Sequence, residues 1–342
     1  MKLAVPLNYA ADFKEAADQA VAFEKAGADI VWVAEAYGFD AVSQMGYLAA
    51  RTETIQIGSG ILPIYSRTPA LLAQTAAGVD ALSGGRAILG LGASGPQVIE
   101  GWHGVAYDKP LERTREIIGI CRRVWRREVL TNDGLYRLPL PPGQGSGLGK
   151  PLKLLSHPVR PSIPIWVASL GPKNVTMTAE IADGWLPTLF VPELAAGVWG
   201  DALAAGAARR SRDLEPLEIC AGGMVAVGEG LEGVRDFARP MVALYVGGMG
   251  ARGRNFYNSL VQRYGFEAEA ATVQDLYLEG KKQEAAAALP AELLEKTSLV
   301  GPESYVKERI AAFEEAGVTV LNVIPVDAEP ARLLSRLKEW MS

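Results

Sequence analysis

Short apolar runs alternate with amphipathic stretches along most of the chain. The first run, Leu3–Leu7, is followed by Asp12–Ala26, in which apolar residues recur at helical spacing. Further strands are predicted at Ile30–Ala34, from Ile55, at Arg86–Leu91, Ile163–Ala168 and Gly184–Pro187, and further helices at Phe39–Ala50, Pro110–Arg127 and from Pro172. Uniformly apolar runs are typical of parallel strands that are covered on both faces, so the alternation predicts a parallel sheet wrapped by helices.

An internal similarity favours closure of this sheet into a barrel. Residues 22–33 read AFEKAGADIVWV and residues 312–323 read AFEEAGVTVLNV, so the same helix–strand unit occurs near both ends. In a barrel the last strand lies beside the first, and both units would meet similar packing demands. Chance, or the common use of Gly at helix ends, explains the similarity equally well. We predict an α/β fold of the (β/α)8 TIM-barrel type, formed by a single domain over residues 1–342.

Two segments interrupt the alternation and are predicted to be insertions. In residues 128–153, Tyr136 precedes PLPPGQGSGLGKP, which predicts a hairpin leading into a flexible loop that is a candidate lid. Residues 234–296 are rich in Ala and Glu and predict a mostly helical insertion before the last strand–helix unit. We expect the helical insertion to be structural or dimer-forming rather than catalytic.

Composition and charge narrow the class of protein. A formal net charge of −5 argues against nucleic-acid binding, which rests on a concentrated basic surface. The amino terminus turns polar too soon for a secretory signal, and we find no apolar run long enough to span a bilayer. Cys121 and Cys220 lie about a hundred residues apart, which favours reduced thiols in the cytoplasm. Two histidines cannot supply the usual metal cluster, so no catalytic metal is expected.

An anion site is predicted at Ser169–Asn174 (SLGPKN), which follows the apolar strand ending at Ala168. Pro172 suits the first turn of a helix, and Gly171 allows close backbone approach. The exposed N–H groups and the positive end of the helix attract an anion, to which Lys173 adds charge. The alternative is an ordinary helix start with an exposed lysine.

The segment Ser94–Gly104 (SGPQVIEGWHG) crowds small, polar, aromatic and ionisable residues into a stretch with little helical or strand character. Such loops generally serve a site. Glu100 and His103 can exchange protons, and Gln97 offers both a donor and an acceptor for the edge of a heterocycle. For His103 a structural hydrogen bond is an equal alternative.

Glu35 is the second candidate acid, because it follows the apolar run at the carboxyl end of the second predicted strand. Partial burial there would favour a protonated carboxyl group that can donate a proton. The alternative is a helix cap or a salt bridge. Aromatic side chains that could form walls of a substrate space are Tyr37, Tyr65, Trp102 and Trp185.

Several of these segments together resemble the bacterial luciferase-like superfamily, specifically its branch that uses the deazaflavin coenzyme F420. They are GSGILP, TPALLAQTAAGVDALSGGRAILGLGAS, SGPQVIEGWHG followed by KPLERT, and ASLGPKN followed by AEIADGW. The resemblance covers nearly the whole chain, and the segments are specific in combination rather than singly.

The resemblance implies a TIM barrel with the deazaflavin at the carboxyl ends of the strands. It also implies a non-prolyl cis peptide at Gly60–Ile61 behind the ring and a phosphate-binding segment at SLGPKN. The residues so implied to contact the coenzyme are Gly60, Ile61, Ser94, Gly95, Gln97, Ala168, Ser169, Leu170, Gly171, Pro172, Lys173 and Asn174.

One departure from the family pattern bears on the substrate. F420-dependent sugar-phosphate dehydrogenases carry a catalytic histidine where this chain has Ala36, and the pattern looks closer to methylenetetrahydromethanopterin reductase-like members. We therefore expect an F420-dependent oxidoreductase that moves a hydride between C5 of the deazaflavin and an activated C=C, C=N or C=O group of a small molecule. Glu35 is expected as proton donor, with His103 second.

Two other functions remain open from the sequence. One is an FMN-dependent monooxygenase of the same superfamily, in which reduced flavin activates oxygen. The other is a non-catalytic barrel that stores or carries a flavin-like ligand. By resemblance, the expected assembly is a homodimer.

Overall fold

Eight parallel strands form a closed barrel in the computed structural model, which describes residues 1–8 and 12–341. The strands are β1 (Lys2–Pro6), β2 (Ile30–Val33), β3 (Gln56–Ser59), β4 (Ala87–Gly92), β5 (Ile165–Ala168), β6 (Gly184–Leu186), β7 (Glu218–Val227) and β8 (Val320–Pro325). Each strand pairs with the next along the chain, and β8 pairs back to β1 with Lys2 opposite Val320. The predicted closure is therefore confirmed.

A helix follows each barrel strand. The helices are α1 (Phe13–Lys25), α2 (Ala41–Arg51), α3 (Pro69–Ser83), α4 (Pro110–Trp125), α5 (Pro172–Ile181), α6 (Pro192–Ala207), α7 (Glu303–Glu315) and α8 (Pro330–Trp340). Two short strands lie outside the ring of eight: Leu62–Pro63 pairs with β4, and Leu299–Gly301 pairs with β7. The (β/α)8 TIM barrel predicted from the sequence is confirmed.

Local sequence signals explain where several helices begin and end. Asp12, Asp40 and Thr68 each accept a backbone N–H in the first turn of α1, α2 and α3. Gly84 ends α3 in the left-handed conformation (φ 68°), which glycine adopts without steric cost. These caps keep the connections short, so consecutive strands remain neighbours.

Two tryptophans fill the inside of the barrel. The rings of Trp32 and Trp166 lie 5.4 Å apart. They cover Gly58 and Gly184, where an added Cβ would lie 2.2 and 2.1 Å from the indole rings. A larger apolar core separates the strands from the helices. Because the interior is packed, a ligand has room only at an end of the barrel.

The repeated helix–strand unit occupies equivalent places in the fold. Residues 22–33 span the end of α1 and β2, and residues 312–323 span the end of α7 and β8. Both helices end before a left-handed glycine, Gly27 (φ 91°) and Gly317 (φ 88°). Since β2 and β8 flank β1 on its two sides, the two units pack against the same strand.

The two interrupting segments have their own local structure. Within residues 128–153, Asn132–Asp133 and Arg137–Leu138 form a two-stranded antiparallel hairpin. Glu116 of α4 holds its turn by accepting the N–H groups of Leu135 (2.8 Å) and Tyr136 (3.1 Å).

Between β7 and α7 the chain forms a succession of short helical turns. They span Glu232–Ala238, Arg239–Ala243, Leu244–Gly248, Phe256–Arg263, Glu267–Leu278, Lys282–Ala287 and Ala291–Lys296. No helix within the described ranges is both long and apolar enough to cross a membrane.

Candidate active site

Loops that follow β3, β4 and β5 bring the predicted site residues to one end of the barrel. Gly60 and Ile61 follow β3, Ser94 and Gly95 follow β4, and the loop beginning at Ser169 follows β5. Because the strands are parallel and adjacent, their carboxyl ends lie side by side. This is the end at which TIM-barrel enzymes carry their active sites.

The Gly60–Ile61 peptide bond is cis. The Gly60 N–H donates to the carbonyl of Val33 (2.8 Å). A Cβ on Gly60 would lie 3.2 Å from the Cβ of Trp32, and one on Gly92 would lie 2.8 Å from Ile61 Cγ1. The cis peptide, called the Gly60–Ile61 bulge below, is therefore packed between Trp32 and the end of β4.

Two indole groups hold the loop that precedes α5 from beneath. Trp185 Nε1–H donates to the carbonyl of Ser169, and Trp199 Nε1–H donates to the carbonyl of Leu170, both at 2.9 Å. The hydroxyl groups of Ser169 and Thr178 are also hydrogen-bonded to each other (2.9 Å). With its carbonyl groups bound to the core, the loop is fixed where the first N–H groups of α5 begin.

The start of α5 has the properties of an anion site. Gly171 caps the helix without a side-chain hydrogen bond, so no side chain of the cap occupies the N–H groups of the first turn. Lys173 is exposed beside them, and Asn174 Oδ1 is buried with no hydrogen-bond partner. A buried amide oxygen without a donor is costly, and a hydroxyl group of a ligand would satisfy it, whereas a phosphate would accept from the N–H groups of the first turn. The residues present thus fit the phosphate-bearing side chain of a flavin or deazaflavin.

The segment after β4 is more regular than its sequence suggested. Pro96–Gly101 form a short helix, so the prediction of little helical character is wrong. Pro96 occupies the first turn after the Gly95 cap, a position in which proline is favoured. Ser94 has a positive φ of 57°, and Gln97 Oε1 lies 3.3 Å from where a Cβ on Gly95 would be. Gln97 therefore folds back over Gly95 at the barrel mouth.

The two ionisable groups of this segment have separate surroundings. The carboxylate of Glu100, which we expected to exchange protons with His103, accepts the N–H of Tyr107 (3.1 Å). The hydroxyl of Tyr107 donates to the carbonyl of Ser94 (3.4 Å). His103 Nε2 is buried and has no hydrogen-bond partner. His103 thus has a ring nitrogen with no partner among the described residues, whereas Glu100 shapes the loop.

Glu35 is part of an ion pair that the sequence did not identify. Arg67 donates from Nη1 to Oε1 (2.6 Å) and from Nη2 to Oε2 (2.8 Å), and Oε2 also accepts the Ala41 N–H (2.9 Å) at the start of α2. The hydrogen bond to Glu35 raises the pKa of Arg67. Both carboxylate oxygens thus already have donors, so the geometry favours the salt-bridge and capping alternative for Glu35.

Only two of the four predicted substrate-contacting aromatics are accessible. Tyr37 is 64% exposed and Trp102 is 66% exposed. Tyr65 is buried, and its hydroxyl donates to the carbonyl of Asp108 (2.8 Å). Trp185 is fully buried, because its indole packs against Trp199. It lies beneath residues Ser169–Asn174, the loop before α5, which is called the anion loop below. Tyr65 and Trp185 therefore support the mouth rather than line open space.

Sequence reasoning missed three residues at this end of the barrel. Arg67 neutralises Glu35, Tyr107 binds the Ser94 carbonyl, and Phe256 lies against the anion loop, with its Cε1 3.7 Å from where a Cβ on Gly171 would be. Arg67 directly precedes the TPALL segment at which α3 begins, and this position was the signal by which the sequence could have indicated it. Phe256 lies in the helical insertion, far from the loop in sequence, and nothing local indicated its position.

Comparison with known proteins identifies the family. The family model described as luciferase-like monooxygenase matches residues 2–320. The chain belongs to this family. The resemblance to the luciferase-like superfamily that the sequence indicated is thereby confirmed.

Relatives within the luciferase-like family specify the branch. The chain is 42% identical over 345 residues to a Mycobacterium tuberculosis protein that carries the name coenzyme F420-dependent oxidoreductase Rv3520c, covering 98% of this chain and 99% of that protein. The fold is similar to that of coenzyme F420-dependent tetrahydromethanopterin reductase from Methanopyrus kandleri, with a TM-score of 0.81 at 20% identity over 99% of both chains. The protein is therefore an enzyme, and the non-catalytic carrier considered from the sequence is wrong.

The same fold also occurs in an enzyme solved with a flavin. The oxygenating constituent of 3,6-diketocamphane monooxygenase of Pseudomonas putida, solved in complex with FMN, is similar with a TM-score of 0.62 at 18% identity, covering 98% of this chain and 94% of that chain. At this level of identity the likeness concerns the fold alone.

Proposed function

We propose that this enzyme is an F420-dependent oxidoreductase that transfers a hydride between C5 of the deazaflavin and an activated C=C, C=N or C=O group. The observation that carries the proposal is the anion loop, whose Ser169 and Leu170 carbonyls are bound by indoles and whose Asn174 Oδ1 is buried without a partner. The 42% identity to a protein named as F420-dependent favours the deazaflavin over a flavin.

Different segments of the chain would contact different parts of the coenzyme. Pro172, Lys173 and Asn174 would bind the phosphate with the first turn of α5, as part of the loop Ala168–Asn174. The Gly60–Ile61 bulge would support the ring from the barrel side. Ser94, Gly95 and Gln97 would approach the ring or its side chain from β4.

When bound and reduced, the deazaflavin supplies a hydride. The chain must then orient the acceptor and provide a proton. His103 is the group we assign to the proton, because its Nε2 is buried without a partner, whereas the Glu35 carboxylate is held by Arg67. Glu35 is thus assigned the role of fixing the loop after β2 and the start of α2.

A titration tests the cofactor assignment. Purified protein is titrated with oxidised F420 and, separately, with FMN, and binding is followed by fluorescence. We expect F420 to bind at least about tenfold more tightly, a difference of 1.4 kcal/mol. Tighter binding of FMN would instead support the FMN-dependent monooxygenase, for which the likeness to the FMN-bound enzyme is the supporting observation.

A substitution locates the binding loop in the same experiment. Lys173→Gln removes the exposed charge beside the first turn of α5 and should weaken F420 binding several-fold, with a loss that shrinks at high salt. Lys150→Gln, an exposed position in the 128–153 segment, is the matched control and should bind like the wild type. If both variants bind F420 with equal affinity, Lys173 is not part of the binding site.

We also propose a homodimer and a cytoplasmic location. Helices α2 and α3 expose Tyr47, Leu71 and Leu82, and such apolar groups on adjacent helices suit an interface between copies. Cys121 and Cys220 are both free, as in reducing compartments. Light scattering tests the first proposal, since a monomer mass at micromolar concentration would refute it, and cell fractionation tests the second.

A further inference from the structure

The helical insertion reaches over the barrel mouth. Its helix Phe256–Arg263 begins with two aromatic residues, and the first, Phe256, lies against Gly171 of the anion loop. Phe256 is nevertheless 61% exposed, so most of its ring faces open space. We expected this insertion to be structural, and this contact gives it a place beside the predicted coenzyme.

The second aromatic residue packs within the insertion. Tyr257 lies against Tyr245 with ring centroids 4.7 Å apart. Phe256 and Tyr257 therefore open a helix whose start lies beside the loop after β5.

Two arginines at this end of the barrel already have acidic partners. Arg67 is paired with Glu35 and Arg113 with Asp108, at 2.6 Å in both cases. Burial raises the pKa of Tyr257, so its phenol stays protonated and neutral. With Lys173 assigned to the phosphate of the coenzyme, an anionic substrate would find these two guanidinium groups occupied and would meet the aromatic surface of Phe256.

Exposed aromatic side chains also follow two other strands at this end of the barrel. Trp102 follows β4 and Tyr37 follows β2, and each is about two-thirds exposed, as is Phe256. Large aromatic groups that remain exposed around a site are typical anchors for apolar ligands. Three separate segments contribute them, so the apolar surface belongs to the mouth rather than to one loop.

We infer that Phe256 and Tyr257 form a wall of the substrate space and that the substrate is an uncharged, apolar carbonyl compound. The inference rests on the proposed function, because it concerns the acceptor of the hydride. Phe256 supplies contact area beside the anion loop, and Tyr257 supplies a neutral hydrogen-bond donor. A phosphorylated sugar or another anion is thereby a poor substrate.

The test uses one neutral and one anionic enone, the methyl ester of 4-carboxybenzylideneacetone and the free 4-carboxylate, which are close in size, with chemically reduced F420 as reductant. The wild type should reduce the neutral enone with a kcat/KM at least about tenfold higher than that of the carboxylate. Phe256→Ala should raise KM for the neutral enone about fivefold or more, with a smaller change in kcat. Phe237→Ala is the matched control, because Phe237 is 72% exposed in the same insertion.

The affinity of each variant for F420 is measured separately by fluorescence titration. A rise in KM for the neutral enone in Phe256→Ala, with F420 affinity retained, supports the inference that Phe256 forms a wall of the substrate space. Equal or better use of the carboxylate, or no effect of Phe256→Ala, overturns the inference while leaving the proposed function intact. Binding of F420 without reduction of either enone also overturns the inference. Failure of the wild type to bind F420 refutes the proposed function, and this inference with it.

Discussion

Glu35 and Arg67 form a two-pronged ion pair that joins the end of β2 to the loop before α3. Both side chains are nearly buried, and the same carboxylate caps the start of α2 through the Ala41 N–H. An ion pair so placed is costly to break from one side, since the remaining charge is left without a partner. The pair therefore fixes the geometry of one edge of the barrel mouth.

Replacing Glu35 tests that structural role. Glu35→Gln should lower the free energy of unfolding by about 3 kcal/mol in urea titrations, because Arg67 loses its counter-charge. The double variant Glu35→Gln/Arg67→Gln should recover part of the loss. Glu53→Gln, an exposed neighbour, is the control and should stay within about 0.5 kcal/mol of the wild type. A stable Glu35→Gln enzyme with greatly slowed turnover would instead restore Glu35 as proton donor.

A second carboxylate predicts a dependence of stability on pH. Glu24 Oε1 accepts the N–H groups of Glu53 (2.9 Å), Thr54 (2.6 Å) and Ile55 (2.8 Å). Burial by itself would raise the pKa of Glu24, but these hydrogen bonds outweigh it and lower the pKa from 4.5. Because the folded-state pKa is the lower one, the stabilisation is complete above about pH 4.5 and is lost as the pH falls through the folded value.

Glu24→Gln should therefore cost about 1 kcal/mol near neutral pH, and the difference from the wild type should shrink on acidification below about pH 4. Unfolding in urea at several pH values measures this difference in the free energy of unfolding. The internal repeat offers the control: Glu314 is the exposed equivalent of Glu24, and Glu314→Gln should change stability little at any pH. A pH-independent loss in Glu24→Gln would contradict the assigned charge effect.

Gly90 of β4 and Gly78 of α3 should respond oppositely to alanine. A Cβ on Gly90 would lie 1.8 Å from the backbone oxygen of Ser59, which cannot move away, so Gly90→Ala should cost about 3 kcal/mol or more. Nothing lies within 4 Å of a Cβ on Gly78, which is exposed within α3. Gly78→Ala should stabilise the protein by about 0.5 to 1 kcal/mol. Thermal unfolding distinguishes the pair, and a tolerated Gly90→Ala would show that β3 and β4 pack less closely.

The thiols should be unreactive in the folded protein. Burial raises the pKa of Cys121 to about 12 and raises that of Cys220 as well. Because the thiolate is the reactive form, a disulfide reagent at about pH 8 should label neither thiol until denaturant is added, when both should react. Rapid labelling of one thiol under native conditions would indicate local opening around it.

The barrel could be predicted because its strands are uniformly apolar and its helices begin at recognisable residues such as Pro110 and Pro172. Strand β7 escaped prediction because it contains Gly222 and Gly223, which are typical of turns. There a Cβ would lie 2.2 Å from the Asn322 oxygen and 1.9 Å from the Thr297 oxygen, so close packing requires glycine.

Within the site, the anion loop could be predicted because its residues are consecutive in the chain. The partners of the other side chains of the site could not be predicted in this way. Arg67 lies 32 positions from Glu35 in the chain, so their ion pair depends on which loops the barrel brings together. From the sequence, Trp185 is predicted to form a wall of the substrate space. The fold instead covers it with α6, whose Trp199 packs against it edge-on.

The hydrogen bonds from Trp185 and Trp199 tie the shape of the anion loop to the assembly of the core. The two indoles pack against Phe190, which in turn stacks on Phe313 of α7. The loop is thereby set when these aromatic rings come together during folding. The entropy of ordering the loop is lost in folding rather than in binding, so the proposed coenzyme would meet a receptor that is already in shape.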